Sequence, residues 1–146
     1  MKAYSRPLLS AGLRCALGCA LSLPLLAASA ATVEVRVSGV TGTKGKVSVA
    51  VCDKERFLKQ CAYSASAPAQ AGETTVVVKD VPPGTWAVLA YQDENNNGEL
   101  DRNLIGMPKE PYGFSRDARS KFGPPRFEDA VIEMGDAPTI TNVRLR

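Results

Sequence analysis

Histidine is absent from the 146 residues. Its absence excludes Ser-His-Asp triads, His-ligated zinc and proton transfer by imidazole. Excess charge is lacking as well. Lys2, Arg6 and Arg14 are the only charged residues before Val33 and account for the formal +3; the rest of the chain carries 15 basic and 15 acidic residues. That even balance gives no electrostatic case for nucleic acid as a partner. With 45% hydrophobic and 23% charged residues, 12 Gly and 10 Pro, the composition excludes a disordered tail, a collagen-like repeat and a coiled coil. At this length it fits one globular domain.

Also missing is an unbroken apolar run of about 20 residues, the length a membrane-spanning helix needs. The first 30 residues hold Lys2, Arg6 and Arg14, then an apolar run from Cys15 to Ala27 interrupted by Pro24, then Ala28-Ser29-Ala30. A basic start, an apolar middle and small residues at a cut describe a secretory signal peptide. Residues 1–30 are therefore expected to be removed, leaving residues 31–146 as the mature domain, periplasmic or secreted, with no membrane attachment. A lipoprotein signal is disfavoured, because the Leu of Ala16-Leu17-Gly18-Cys19 stands one place too late.

Cys15 and Cys19 would leave with the signal, and Cys52 and Cys61 would reach an oxidising compartment. There they are expected to form a disulfide. Closing so short a ring contributes at most about 2.5–3 kcal/mol. A redox pair would be spaced Cys-x-x-Cys, whereas eight residues intervene between these two.

From Thr32 onward apolar and polar residues alternate. Val33, Val35 and Val37 mark one half-buried strand, and Val47, Val49 and Val51 a second, with a Gly-rich turn from Gly39 to Gly45 between them. Further strands are expected at Thr74–Val78, Thr85–Gln92, Phe127–Met134 and Ile140–Leu145, and one or two helical turns at Asp53–Lys59 with Phe57 and Leu58 capping the core. Six or seven strands with little helix imply an all-β fold, an antiparallel β-sandwich of immunoglobulin-like or transthyretin-like type. In the fourth run both alternating sets, Trp86/Val88/Ala90 and Ala87/Leu89/Tyr91, are largely apolar, which predicts a central strand covered on both faces with Trp86 in the core.

The stretch Asp93-Glu94-Asn95-Asn96-Asn97-Gly98-Glu99-Leu100-Asp101 follows that strand directly. Side-chain oxygens at Asp93, Asn95, Asn97 and Asp101 match positions 1, 3, 5 and 9 of an EF-hand-type calcium loop. Gly98 falls at the sharply turning position 6 and the Glu99 carbonyl at position 7. Alternate residues of a tightly curled chain converge on one point, which suits a hard, oxygen-preferring cation, and Ca²⁺ is the expected ion. Leu100 would pin the loop to the core. Position 12, however, is Leu104 rather than a bidentate carboxylate. Glu110 is the expected completing ligand, with Glu128 or Asp129 behind it, and affinity in the range of roughly 10⁻⁴–10⁻³ M follows. Against this stands the ordinary use of Asn and Asp in metal-free turns, where their side chains bond nearby backbone.

After the loop, Lys109 to Phe127 is long for a connector and rich in Gly, Pro and aromatics. Tyr112, Phe114 and Phe122 either form a ligand surface beside the ion or pack down over the open end of the sandwich. Arg116, Arg119 and Lys121 read as a solvated face.

Several of these segments together carry a resemblance. They are Gly45–Cys52 with Phe57-Leu58, Pro83-Gly84-Thr85-Trp86-Ala87-Val88, Asp93–Asp101, Gly106–Ser115, and Gly123-Pro124-Pro125 with Phe127-Glu128-Asp129-Ala130. The set resembles the bacterial domain of unknown function 2141 family over nearly all of the mature chain. The resemblance implies an exported β-sandwich and brings no biochemical activity with it. The phrase before Trp86 is also similar to the Pro-Gly-x-Tyr hairpin of transthyretin-like and carboxypeptidase-regulatory sandwiches. The related hydroxyisourate hydrolases rely on histidines that are absent here.

The functional expectation is a non-catalytic exported module, monomeric, whose ion loop organises a surface for an envelope protein or glycan. Two alternatives differ in class. Asp93, Asp101, Glu110 or Asp129 could act as hydrolytic carboxylates on a glycan, which would need two acids facing each other across a cleft. Or the first or last strand could add its free edge to a partner's sheet.

Overall fold

The structure, a computed structural model, describes residues 30–146. The expected signal peptide, with Cys15 and Cys19, lies outside the described residues apart from Ala30. Among the described residues no helix is long and apolar enough to cross a membrane.

Eight strands and one helical turn follow in chain order: β1 (Ala31–Val40), β2 (Lys46–Cys52), β3 (Tyr63–Pro68), β4 (Gly72–Val81), β5 (Gly84–Asp93), β6 (Tyr112–Phe114), α1 (Phe127–Ala130), β7 (Val131–Met134) and β8 (Thr139–Arg144). They form two sheets, β4-β1-β8 and β3-β2-β5-β6, with β7 also paired to β5. This is an all-β sandwich. Between the layers lie the inward valines of β1 and β2, Val76 and Val78 of β4, and Trp86, Val88 and Ala90 of β5. The alternation in β1 and β2 places their valines on that one face, since successive side chains point to opposite sides of a sheet.

The expected β5 arrangement holds in part. Trp86 is in the core, donates its indole N–H to the Pro82 carbonyl at 2.9 Å and meets Tyr63 edge-on. The opposite face of β5 is covered at Ala87, packed among Phe114, Phe127 and Ala130 with Phe57 and Leu89 against them, whereas Leu89 and Tyr91 are only half-buried. Along its outer edge β5 pairs first with β7 (Gly84–Ala87) and then with β6 (Leu89–Tyr91). Buried Ser115 closes the gap between them: its N–H donates to Val88 O at 2.8 Å, its hydroxyl accepts the Val88 N–H at 3.0 Å, and it donates to Ala130 O.

Four local expectations are corrected. Asp53–Lys59 is a non-helical turn with Leu58 at φ 61°, drawn tight by the Cys52–Cys61 disulfide, and only Phe57 of the expected pair packs down. Among the described residues the one helix lies instead at Phe127–Ala130, the first half of the expected 127–134 strand. All strand pairs are antiparallel except β1 with β8, which is parallel, because periodicity fixes a strand's face and leaves its direction open. And the first strand is no edge: β1 is central between β4 and β8. The last strand β8 is an edge, and its end is covered by Tyr112, which exchanges backbone hydrogen bonds with Arg146 at 3.1 and 3.2 Å, and by the Ser115–Val143 bridge.

Candidate functional site

The oxygen-rich loop grows from the C-terminal end of β5, where Gln92 and Asp93 are both fully buried. Gln92 points to the β1–β2 connection. Its carbonyl oxygen accepts the Thr41 N–H at 2.9 Å and the Thr41 hydroxyl at 3.1 Å, and its amide donates to Thr41 O at 2.8 Å and Lys44 O at 3.1 Å. Gly45, at φ 73°, runs so close to the Asp93 carbonyl that a Cβ there would overlap it. The root of the loop is therefore clamped to a neighbouring turn before the loop itself begins.

Within the loop the side chains of Asp93, Asn95 and Asn97 are met by backbone amides. Asp93 accepts the Asn97 N–H at 3.1 Å on one oxygen and the Gly98 N–H at 2.8 Å on the other. Asn95 Oδ1 accepts the Asn97 N–H at 3.1 Å, and Asn97 Oδ1 accepts the Glu99 N–H at 2.9 Å. Those two bonds orient the amides, whose NH₂ groups both donate to Asp101, Asn95 to Oδ2 and Asn97 to Oδ1, each at 2.8 Å. Gly98 has φ 81°, the left-handed conformation that the turn at this position requires. Two side chains thus meet at the Asp101 carboxylate, while Asp93, with Lys46 Nζ at 3.4 Å, holds the backbone of the same turn.

Glu110 comes back to this loop, as its place after the Gly106–Lys109 turn suggests, but to the backbone. One oxygen accepts the Glu94 N–H at 2.9 Å and the other the Asp101 N–H at 3.0 Å. It is a brace across the two ends of the loop. Leu104, at the twelfth position, is fully exposed. Glu128 and Asp129 are engaged elsewhere, by Lys54 at 2.7 Å and Arg126 at 3.1 Å, so neither stands behind Glu110 as a reserve ligand. Leu100 is half-buried. Among the described residues no three His, Cys, Asp or Glu side chains are grouped as a metal-binding set. The donors of this loop are two Asp carboxylates, two Asn amides and backbone carbonyls, of which the Glu99 carbonyl is one by position.

Beside the loop the outer face of the β3-β2-β5-β6 sheet floors a groove of about 1140 Å³, and Gly98, Glu99 and Leu100 form part of its wall. Tyr91 links the two. Its side chain lies on the groove floor and its hydroxyl donates to the Gly98 carbonyl at 2.9 Å. Burial raises the phenol above its ordinary value, the carboxylates of Asp93, Glu110 and Glu99 add to that, and a hydrogen bond with Ser48 opposes it, so Tyr91 remains a donor at neutral pH. Of the three aromatics expected near the ion, Tyr112 is half-buried, Phe114 is packed down against Phe57, and Phe122 stands in solvent on the groove wall. Packing down is thus seen for Phe114 and not for Phe122.

Residue reasoning missed Gln92, Lys46 and Tyr91. Gln92 carried a signal in principle, since a Gln interrupting an otherwise apolar central strand needs partners. Lys46 and Tyr91 look like ordinary strand residues, and only the pairing of β2 with β5 brings Lys46 opposite Asp93 and Ser48 opposite Tyr91. No curated protein and no solved structure matches the chain. A family model matches residues 35–142, from the middle of β1 to the middle of β8 and across the whole loop and groove, and the chain belongs to that family, described as an uncharacterized protein conserved in bacteria (DUF2141).

Proposed function

We propose that the protein is an exported, non-catalytic binding module in which the Asp93–Asp101 loop takes a calcium ion and so fixes one wall of the adjacent groove. The observation that carries this reading is the meeting of the Asn95, Asn97 and Asp101 side chains within one turn whose backbone Asp93 holds. An amide oxygen has two lone pairs, so Asn95 and Asn97 can keep their backbone bonds while sharing that oxygen with a cation. Asp101 would exchange two amide N–H donors for the ion. The missing twelfth-position carboxylate, with Lys46 beside Asp93, keeps affinity at roughly 10⁻⁴–10⁻³ M, in the range of extracellular modules.

The arrangement of the acids favours a module over a hydrolase. Asp93, Asp101 and Glu110 accept hydrogen bonds from the same short loop, and Asp129 is held by Arg126. A glycosidase needs two carboxyls about 5–9.5 Å apart across an open cleft, one of them a proton donor. Export follows from the leader-like residues 1–30, and it suits a disulfide and a millimolar-range calcium site. Titration calorimetry of the protein as its host processes it should show calcium binding that the paired change Asp93→Ala, Asp101→Ala removes. Absence of calcium heat in the unsubstituted protein would overturn the reading.

A further inference from the structure

The groove beside the loop shows a mismatch between what lines it and what water prefers. Its floor is built of small or short side chains, Ser48 and Ala50 of β2 and Ser64 and Ser66 of β3, next to Leu89 and Tyr91 of β5. Its walls carry large apolar side chains that the fold leaves in solvent: Leu58 at 42%, Met107 at 59% and Phe122 at 92% exposure. Leu104 and Ile105, at the tip of the turn that ends in Met107, are exposed as well. Five of the seven exposed large hydrophobics among the described residues thus stand on the walls of one groove or at the tip of one wall, the others being Val77 and Ile140. Clustering of that kind marks a binding surface, whereas scattered exposed apolar residues need no explanation.

Charge selects the occupant. The charged residues lining the groove are Lys46, Lys59, Arg102 and Lys121 against Glu99 alone. Lys46 is paired with Asp93, while among the described residues no carboxylate lies within ion-pair distance of Lys59, Arg102 or Lys121. A neutral glycan would leave three cations uncompensated and would meet aliphatic walls. A molecule with an apolar body and one anionic end satisfies both features.

The geometry points to a free single-chain anionic amphiphile, of the fatty-acid class, as the ligand of this groove. Its chain lies over Ala50 and Leu89 between Met107, Leu58 and Phe122, and its carboxylate faces Lys59 and Lys121. This inference rests on the binding-module reading above and names the ligand class for it.

The test uses dansyl-labelled undecanoic acid at micromolar concentration, with fluorescence titration of the protein as its host processes it. Saturable binding at one site per chain is expected. Ala50→Trp, which fills the floor, should weaken it at least tenfold, as should Phe122→Asp, a substitution at a solvent-exposed side chain that leaves folding intact. Decanoate should displace the probe at least fivefold better than decanol, and Lys59→Glu with Lys121→Glu should abolish that preference. No saturable binding, affinity in both groove variants equal to that of the unsubstituted protein, equal displacement by decanoate and decanol, or protein that sediments with phosphatidylglycerol vesicles without binding the probe would each overturn the inference. Running the titration both in 10 mM calcium and in EDTA separates the two proposals. Undiminished probe binding in EDTA upholds the ligand class and removes the calcium-organised wall, whereas loss of binding in both conditions removes the ligand class alone.

Discussion

Glu110 and Asp101 are joined through the backbone: a Glu110 carboxylate oxygen accepts the Asp101 N–H at 3.0 Å while its partner oxygen holds the Glu94 N–H at 2.9 Å. One side chain thereby ties the first and last turns of the oxygen-rich loop from a position nine residues beyond its end. Because Glu110 is buried, both bonds are partly shielded from competing water.

Removing that brace should loosen the loop without disturbing the sandwich core. Hydrogen bonds to a charged acceptor are worth about 1.5–3 kcal/mol each when the partner is left unsatisfied. Partial access of water to the loop amides reduces the sum, so Glu110→Ala is expected to cost about 2–4 kcal/mol. Glu110→Gln, which keeps one acceptor oxygen, should cost roughly half as much. Urea denaturation curves measure both, and a Glu110→Ala midpoint equal to that of the unsubstituted protein would refute the bracing role.

Gln92 gives a second, separable prediction. It makes four hydrogen bonds to Thr41 and Lys44 from a fully buried position. Gln92→Ala leaves those backbone groups without partners and opens a cavity at the root of the loop, at a cost of about 2–4 kcal/mol. Thermal unfolding reads the loss. Hydrogen exchange should show it concentrated at the Thr41 amide, and uniform acceleration across β1 would point instead to a general weakening of the sheet.

How much of this was readable beforehand follows from the range of each signal. The valine alternations in β1 and β2 report burial on one face and need only neighbouring positions, so those strands, the two-sided cover of β5 around Ala87 and the core place of Trp86 could be read directly. β3 is Tyr-Ser-Ala-Ser-Ala-Pro, whose inward residues after Tyr63 are two alanines, and β6 has three residues. Neither is long or apolar enough to register as a period. The parallel pairing of β1 with β8 joins the two ends of the domain, beyond the reach of any local pattern. In the loop, oxygen spacing placed Asp93, Asn95, Asn97 and Asp101 together, but it could not say that Glu110 would bind the backbone, since a returning carboxylate is offered amides and side chains alike. The groove was invisible for a related reason: it is assembled from six segments that meet only after the sheet has formed.

The disulfide closes Cys52 to Cys61 around Phe57, whose ring lies 5.8 Å from Phe114 and 5.7 Å from Phe127. Paired Cys52→Ser and Cys61→Ser changes release that loop in the unfolded chain and should lower stability by at most about 2.5–3 kcal/mol. Because Phe57 then loses its tether, near-ultraviolet dichroism should weaken before the far-ultraviolet sheet signal does. Simultaneous loss of both signals would show that the staple supports the whole sandwich.

Acid should act on α1. Hydrogen bonds from Arg126 hold the Asp129 carboxyl below its ordinary value, and a hydrogen bond from Lys54 does the same for Glu128. A depressed folded value means that the stabilisation is present above the usual carboxylate range, near pH 4, and is lost as the pH falls through the lower folded value. Both groups are on the surface, so the effect is small and fades with salt. Melting temperature followed from pH 5 to pH 2 should decline less steeply in the Asp129→Asn, Glu128→Gln variant than in the unsubstituted protein. Parallel curves would mean that these pairs contribute nothing to folding.

Calcium, finally, should stabilise by mass action if the loop takes it. For a dissociation constant of roughly 10⁻⁴–10⁻³ M, 10 mM calcium adds about 1.4–2.7 kcal/mol to the folded state. Magnesium should do less at the same concentration, because it demands rigid octahedral geometry and sheds water reluctantly. Asp101→Asn separates the ion from the loop's own hydrogen bonds. An Asn there can be oriented to accept from only one of the two amides that now meet at Asp101, so the metal-free protein should weaken modestly, by about 1 kcal/mol. Loss of a formal charge from a site with only two carboxylates should at the same time erase most of the calcium-dependent rise in melting temperature. A variant that is weaker without calcium yet gains as much from it as the unsubstituted protein would mean that the cation binds elsewhere, and Asp101 would then be a turn residue held by its two asparagines.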